Sequence, residues 1–526
     1  MSYVKEHCLQ PTADSRGKIG ELGRWSGLVP AAATLAVGGR YISRASIWRD
    51  EVATWQFSRL PLSKLVHTTV HKQDMVHLPY YVFMHFWLML GDSTALMRLP
   101  SLLAAAVAVA MLTRFAQRWM STPWSILAGL LLALNPLFVL WSIDAREYSI
   151  ACMFAVLSVI ALVNALQRSG NTRWLVFGVA SLGLVLFQQL AILLLIALFV
   201  AVVMTNNWRA VARTAAVIVG VELLVMPITV ISSREIGQVA WIPKSHLRTF
   251  LTAFEGVSGR FYNTDTAVGK VGVIVFLLGA LVLVRYLLVR TTSIERQLFY
   301  AIAVSGACIP AILLVAVSFI HPLYVSSYLL VSVPSVALVE AALMECLWSV
   351  IAKGVPWRFL GTPENHSPSV KFNSRSIAAG FQAKPLRKAA VGCCAFSACS
   401  LLLCAVVVQA LSAAREPFYV DDFRSAAAAL SADLVSHPGR LLIPSEEKGG
   451  FTYYASNQLA TSLRDSLSFH LAGVADRHPS IAPTCPVAWA IGGEGISPPT
   501  SFSLNGGACH LSKSQSFGTI WIARVI

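Results

Sequence analysis

The chain has 526 residues, of which 56% are hydrophobic and only 13% charged, with a mean hydropathy of +0.64. An ordinary soluble domain carries about 25% charged residues, so these values exclude one and point to a polytopic α-helical membrane protein. The net charge of +15 does not call for nucleic acid. Excess Lys and Arg in a membrane protein belong on cytoplasmic loops and surfaces facing anionic lipid, and no basic-aromatic stripe accompanies them.

Residues 1–24 are polar and mixed in charge, with no small-residue cleavage site after the first apolar run, and read as a cytoplasmic tail. Apolar runs that approach the length of a bilayer then follow in order. They are Ser26–Ile42, Pro100–Gln117, Pro123–Trp141, Tyr148–Leu166, Trp174–Phe187, Leu190–Met204, Val211–Ile231, Val271–Val289, Ala301–Phe319, Tyr324–Trp348 and Ala389–Ala410. This predicts about 11 transmembrane helices, since a span needs about 20 apolar residues. The split at Gln188-Gln189 is the weakest division.

An N-terminus inside places Arg114/Arg118, Arg168/Arg173, Arg209/Arg213 and Arg285/Arg290/Arg296 in cytoplasmic loops, together with the basic loop 351–388. That is the positive-inside pattern, and it predicts a multi-pass plasma-membrane protein. Three segments are left outside: a first loop (43–99), a second loop (232–270) and the tail (411–526). Pro79–Leu90 in the first loop is apolar and aromatic but short, which suits a helix lying in the interface. The tail reads as a small extracytoplasmic α/β domain, with a helix over Asp421–Val435 and strands at Arg440–Pro444, Val487–Ile491 and Thr519–Ile526. None of the 10 cysteines has zinc-site spacing. Cys485 and Cys509, the pair in the polar tail, are the candidates for a disulfide at an oxidising outer face.

The residues able to do chemistry gather in the first outer loop and at one short turn. Asp50 and Glu51, in Trp48-Arg49-Asp50-Glu51, stand just past the first span, and ionisable groups at that depth are functional candidates by default. A carboxylate in a partly dehydrated site has a raised proton affinity and can take a proton from a hydroxyl; the bland reading is a solvated helix end. Asp74 and His77 are three apart, and would share a face if helical. They read either as a hydrogen-bonded loop, which Pro79 favours, or as acceptor or metal ligands alongside Asp50 or Glu51. Arg146 and Tyr148, in Asp144-Ala145-Arg146-Glu147-Tyr148, could grip a phosphate, for which a planar guanidinium is well shaped, or could simply cap a helix. Arg98 ends the first loop, where snorkelling is the alternative. Lys244 and Arg248, with His246, follow Trp241 in the second loop, as in a headgroup site or an interfacial anchor. Glu222 and Glu340 stand mid-span, the pattern a transporter would use, but the charges otherwise cluster at the outer face.

These stretches resemble the bacterial GT-C fold membrane glycosyltransferases, in the family-39-like group of protein mannosyltransferases and aminoarabinose transferases. The pattern resembles that of actinobacterial mannosyltransferases. The motifs stand here as WRDEVAT (Trp48–Thr54), DMVHLPYY (Asp74–Tyr81), MRLPS (Met97–Ser101) and IDAREYS (Ile143–Ser149), in the family's order. Two positions depart from it: Ser326-Ser327-Tyr328-Leu329 replaces a late Arg-Tyr-Leu, and Ile143 replaces a Gln.

The resemblance implies transfer of a sugar, mannose by family likeness, from a polyprenyl-phosphate donor to an acceptor protein or glycan at the outer face, with inversion. Asp50 would be the general base, with Glu51 beside it. Arg146, Tyr148, Arg98 and Lys244 would hold the donor phosphate. Asp74 and His77 would serve the acceptor or a possible divalent metal ion, no cofactor being certain. Membrane lipids are the other expected partner. The rival readings are a non-catalytic glycolipid-binding or envelope-assembly protein, and a lipid or sugar transporter.

Overall fold

A computed structural model of the chain describes residues 25–71, 74–168, 170–235, 242–258, 267–289, 294–353, 407–408, 410–414, 422–444, 447–469, 487–493, 498, 501–504, 507–512 and 514–525. The tail 1–24, nearly all of the basic loop 351–388, most of the span expected at Ala389–Ala410, and Cys485 lie outside the described residues.

The chain opens with α1 (Leu28–Tyr41), then α2 (Arg49–Ser58), α3 (Leu62–His71), a 3-10 turn (Met75–His77) and α4 (Leu78–Trp87). The bundle continues with α5 (Thr94–Ala116), α6 (Thr122–Ala133), α7 (Pro136–Ser142), α8 (Tyr148–Gln167), α9 (Asn171–Phe187), α10 (Ile192–Val203) and α11 (Trp208–Ser232). After α12 (Leu247–Val257) come α13 (Ala267–Val289), α14 (Ile294–Ser318), a 3-10 stretch (Ser326–Ser332) and α15 (Val333–Lys353).

By length and composition, five helices among the described residues can cross a membrane, and the bent pair α6–α7 makes a sixth. α9 and α10 are shorter and apolar, and they separate at the expected break: Gln188 is extended, with φ −148°.

Three departures from the expected spans shape the site. The span read at Pro123–Trp141 is broken, with α6 and α7 bent by 62°. The local cause is Asn135, whose side chain caps the Leu137 and Phe138 N–H groups, followed by Pro136, which cannot donate to the preceding turn. α5 begins at Thr94, capped by the Ser93 side chain, rather than at Pro100, so Arg98 stands inside a helix. The span read from Tyr324 opens as a 3-10 stretch, which carries Tyr328 to the start of α8, with ring centroids of Tyr148 and Tyr328 6.4 Å apart.

The bundle core is apolar and close-packed around α5, α8, α10, α14 and α15. Small residues let helices approach: a Cβ added at Gly129 on α6 would sit 2.1 Å from Thr113 Oγ1 and 2.8 Å from Pro30.

The C-terminal residues form an α/β unit. α16 (Phe423–Ser436) is capped by Asp422, whose carboxylate accepts from the Ser425 N–H at 3.1 Å. It leads into β1 (Leu441–Pro444), α17 (Lys448–Tyr453), α18 (Asn457–Arg464), β2 (Leu467–Phe469), β3 (Trp489–Gly492), β4 (Ser501–Leu504), β5 (Gly507–His510), β6 (Gln515–Phe517) and β7 (Ile520–Arg524). A five-stranded sheet runs β2-β1-β3-β7-β6, parallel on both sides of β1 and antiparallel at β7, with β4–β5 a separate hairpin. Cys509 on β5 is disulfide-bonded. Ile47 and Val52, from the first loop, are part of this unit's buried core.

Candidate active site in the first loop

α2 starts at the motif itself. Trp48 is extended at the N-cap, and Asp50 and Glu51 fall in the first turn, where the helix dipole favours negative charge. The two carboxylates then part company. Glu51 is wholly buried against Arg98, with Arg98 Nε 2.6 Å from Oε1 and Nη2 2.5 Å from Oε2. The Ala145 N–H also donates to Glu51 Oε1, at 2.8 Å. Arg98 spends its remaining donors on the carbonyls of Ile42, Ala45 and Ser46. By sequence, Glu51 is expected among the reacting groups and Arg98 on the donor phosphate. The structure gives both to the scaffold, because their charged ends are occupied by each other and by backbone.

Asp50 faces an opening, with 39% of its side-chain surface accessible. Burial of its surroundings pushes its carboxyl above the ordinary range, against the opposing charges of Arg146 and His77. Arg146 Nη2 is 3.9 Å from Asp50 Oδ2, and Arg146 itself is buried. The His77 ring lies against the same guanidinium, with Arg146 Nη2 2.9 Å from Nε2, and its Nδ1 is 3.1 Å from Glu147 Oε1. Glu147 Oε2 is 3.5 Å from Arg146 Nε. Burial would raise the Glu147 carboxyl, but Arg146 and His77 outweigh it and bring it down to about 2. Asp50, His77, Arg146 and Glu147 thus form one charged cluster from α2, the 3-10 turn and the α7–α8 connection.

Aromatic rings wall this cluster. Tyr148 meets Trp141 edge-on at 4.5 Å, and Trp141 lies 6.3 Å from Trp48. Trp48 Nε1 donates to Asp144 Oδ1 at 2.9 Å. Burial, and then the adjoining Glu51 carboxylate, hold the Asp144 carboxyl well above its ordinary range.

Asp74 and His77 do not share a helical face. Asp74 is left-handed (φ 66°) and stands just before the 3-10 turn, its carboxylate 3.4 Å from the Tyr81 hydroxyl, while His77 turns to Arg146 and Glu147. The turn is fastened from the second loop's side by Glu235, which accepts from the Met75 N–H at 3.1 Å. Lys244 and Arg248 are exposed and outside the cluster, and among the described residues they form no ion pair with it.

Glu147, Asp144, Glu235 and Tyr328 were not singled out from sequence. Glu147, Asp144 and Tyr328 lie inside motif stretches; Glu235 has no local signal. Among the described residues no three His, Cys, Asp or Glu side chains converge on a metal-sized site. The carboxylates Asp50 and Glu147 are held apart by Arg146, so the observed arrangement does not fit a bound divalent ion, and no step is assigned to one.

Residues 77–232 match the model of the family described as dolichyl-phosphate-mannose-protein mannosyltransferase. No curated protein matches the chain by sequence. Among solved structures, the Archaeoglobus fulgidus oligosaccharyltransferase tethered to an acceptor peptide is similar, with TM-score 0.50 and 11% identity, over 89% of this chain and 68% of that one. ArnT from Cupriavidus metallidurans, solved bound to undecaprenyl phosphate, gives TM-score 0.49 and 11% identity over 96% and 98% of the two chains.

Proposed function

We propose that this chain, which has the GT-C fold and whose residues 77–232 belong with the protein mannosyltransferases, is a membrane glycosyltransferase that moves a sugar from a polyprenyl-phosphate donor to an acceptor hydroxyl. Mannose is the sugar that the family's description favours. The donor's lipid tail must lie in the bilayer, so its phosphate sits at headgroup depth, where the first loop and the α7–α8 connection would meet it. The matched oligosaccharyltransferase was solved with an acceptor peptide, which supports a polypeptide acceptor here, with a glycan as the other class. The reading includes a plasma-membrane protein of about 11 spans, its N-terminus and loop 351–388 inside and the α/β unit outside.

The observation that carries it is the pairing of an accessible Asp50 carboxylate with a buried guanidinium, Arg146, 3.9 Å away. In this reading Asp50 takes the acceptor proton. The oxygen attacks the anomeric carbon from the face opposite the lipid phosphate, and the carbon–oxygen bond to phosphate breaks with inversion. Arg146 stabilises charge as it grows on the departing phosphate. Tyr148 and Tyr328 line the donor side. His77 and Glu147 orient Arg146, and Asp74 with Tyr81 shapes the acceptor side. Lys244 would reach the phosphate only if the second loop moved.

The test uses purified full-length protein and a labelled polyprenyl-phosphate-mannose, following release of lipid phosphate with and without divalent metal. Turnover that falls by roughly 10²–10⁴-fold in Asp50→Asn supports a base at that position. Dependence on added metal would overturn the metal-free reading of the site. If no polyprenyl-phosphate sugar is consumed, the non-catalytic glycolipid-binding alternative becomes the better one; the Ser326-Ser327 pair, standing where related chains have Arg, favours it.

A further inference from the structure

The α/β unit meets the first turn of α2 through a buried carboxylate. Glu447, just before α17, has no accessible surface, and its Oε1 accepts from Arg49 Nη2 at 2.8 Å. Arg49 is the residue before Asp50. Successive helical residues point about 100° apart around the axis. Arg49, Asp50 and Glu51 therefore project in three directions from the first turn of α2. Arg49 goes to the α/β unit. Glu51 goes to Arg98 and the Ala145 N–H in the helical bundle. Asp50, between them, points into the opening.

Two ion pairs, one from each part of the molecule, thus set the rotation of α2 about its own axis and with it the aim of Asp50. The contact around Glu447 is tight enough to transmit position. A Cβ on Gly449 would stand 2.4 Å from Val52 Cγ1 and 2.3 Å from Gln56 Nε2, so α17 lies directly on α2. The Ile47 N–H also donates to the Tyr454 hydroxyl, at 3.0 Å.

We infer that Glu447 is a positioning residue for the reaction, acting through Arg49 to aim Asp50, and that the α/β unit is therefore part of the catalytic apparatus and not only a docking appendage. This rests on the reading of Asp50 as the general base. Other contacts join the two parts without touching the first turn of α2. Arg424 on α16 donates to the carbonyls of Ser43 and Arg44 and covers the Tyr454 ring. It provides the control for docking alone.

The experiment compares full-length Glu447→Gln, Arg49→Gln, the double variant, Arg424→Ala and Asp50→Asn. It measures kcat and donor KM for lipid phosphate release, and amide hydrogen exchange over α2. Misaiming a reacting group by about 1 Å can cost on the order of 10²-fold. Glu447→Gln and Arg49→Gln should each lower kcat by roughly 10–100-fold with donor KM within about twofold. The double variant should be no worse than the poorer single one, since both remove the same link, and exchange should rise at residues 49–54 but not in α5. Arg424→Ala should lower stability with a smaller change in kcat. Additive losses in the double variant, equal kcat losses in Arg424→Ala, or unchanged exchange in α2 would overturn the inference. An active Asp50→Asn would instead overturn the underlying assignment of the base; an inactive Asp50→Asn beside a fully active Glu447→Gln would sink this inference alone.

Discussion

Arg98 and Glu51 meet as a fully enclosed bidentate pair, at 2.6 Å and 2.5 Å, joining the helix that carries Asp50 to the long helix α5. Neither charge has a route to solvent, and the remaining Arg98 donors close the chain between α1 and α2 through the carbonyls of Ile42, Ala45 and Ser46. Removing one partner of a buried pair strands the other, whereas replacing both with apolar groups can be nearly neutral.

Glu51→Gln or Arg98→Met alone should therefore lower stability by about 3–5 kcal/mol, read as thermal unfolding in detergent. The double Glu51→Leu/Arg98→Met should recover much of that loss. A Glu51→Gln protein that is fully stable yet inactive would return Glu51 to the reacting groups.

In the proposed mechanism Arg146 serves the growing negative charge. Arg146→Ala should reduce kcat by roughly 10²–10³-fold, the scale of one lost transition-state donor. Arg146→Lys, which keeps the charge but loses the fork that also meets His77 and Glu147, should fall between the two. The check is steady-state release of lipid phosphate; a larger effect on donor KM than on kcat would mean that Arg146 binds the ground state instead.

The pH profile should report Asp50. Its carboxyl is raised first by burial, and Glu147 adds to the rise while Arg146 and His77 oppose it. A base works deprotonated, so activity should climb with pH along a limb lying above the ordinary aspartate value of about 3.9. Glu147→Gln removes a negative neighbour, lowers the Asp50 value and should move that limb to lower pH. A limb that stays in place in Glu147→Gln and vanishes in no variant at Asp50 would exclude this assignment.

Glu147 also makes an acid-stability prediction. Its carboxyl falls from 4.5 to about 2 on folding. A lowered value stabilises the fold above the unfolded value, and that contribution is lost as pH drops from about 4.5 towards 2. At about 1.4 kcal/mol per unit, the contribution at neutral pH is about 3 kcal/mol. The stability gap between wild type and Glu147→Gln should be widest near neutrality and shrink on acidification. A gap constant with pH would mean that the variant acts through packing.

Much of the helical architecture was legible because each helix carries its own signal. Tyr148–Leu166 was read within a residue of α8, Asp421–Val435 close to α16, and the break at Gln188-Gln189 was present. The bend at Asn135-Pro136 is masked because the apolar residues on either side outweigh that pair in mean hydropathy, which does not register a capped helix start. Arg98 reads from sequence as a snorkelling residue at the end of the first loop, and by resemblance as a phosphate ligand, whereas α5 begins six residues before Pro100, at Thr94, and encloses it. Asp50, His77, Arg146 and Tyr148 all stand within the sequence motifs, and the structure brings them together. Glu447 and Glu235 do not, since each matters only through a contact distant in sequence: Glu447 with Arg49, 398 residues away, and Glu235 with Met75, 160 away.

Composition and periodicity alone determined that this chain is a helical membrane protein with its ionisable groups gathered in one loop and one turn, because bilayer burial imposes length and polarity on every segment separately. Only the tertiary structure decided what each of those charges does. Asp50 and Glu51 are adjacent and chemically alike in the sequence, and the difference between them is direction. One carboxylate turns into the bundle and pairs with Arg98; the other turns outward beside Arg146 and stays accessible.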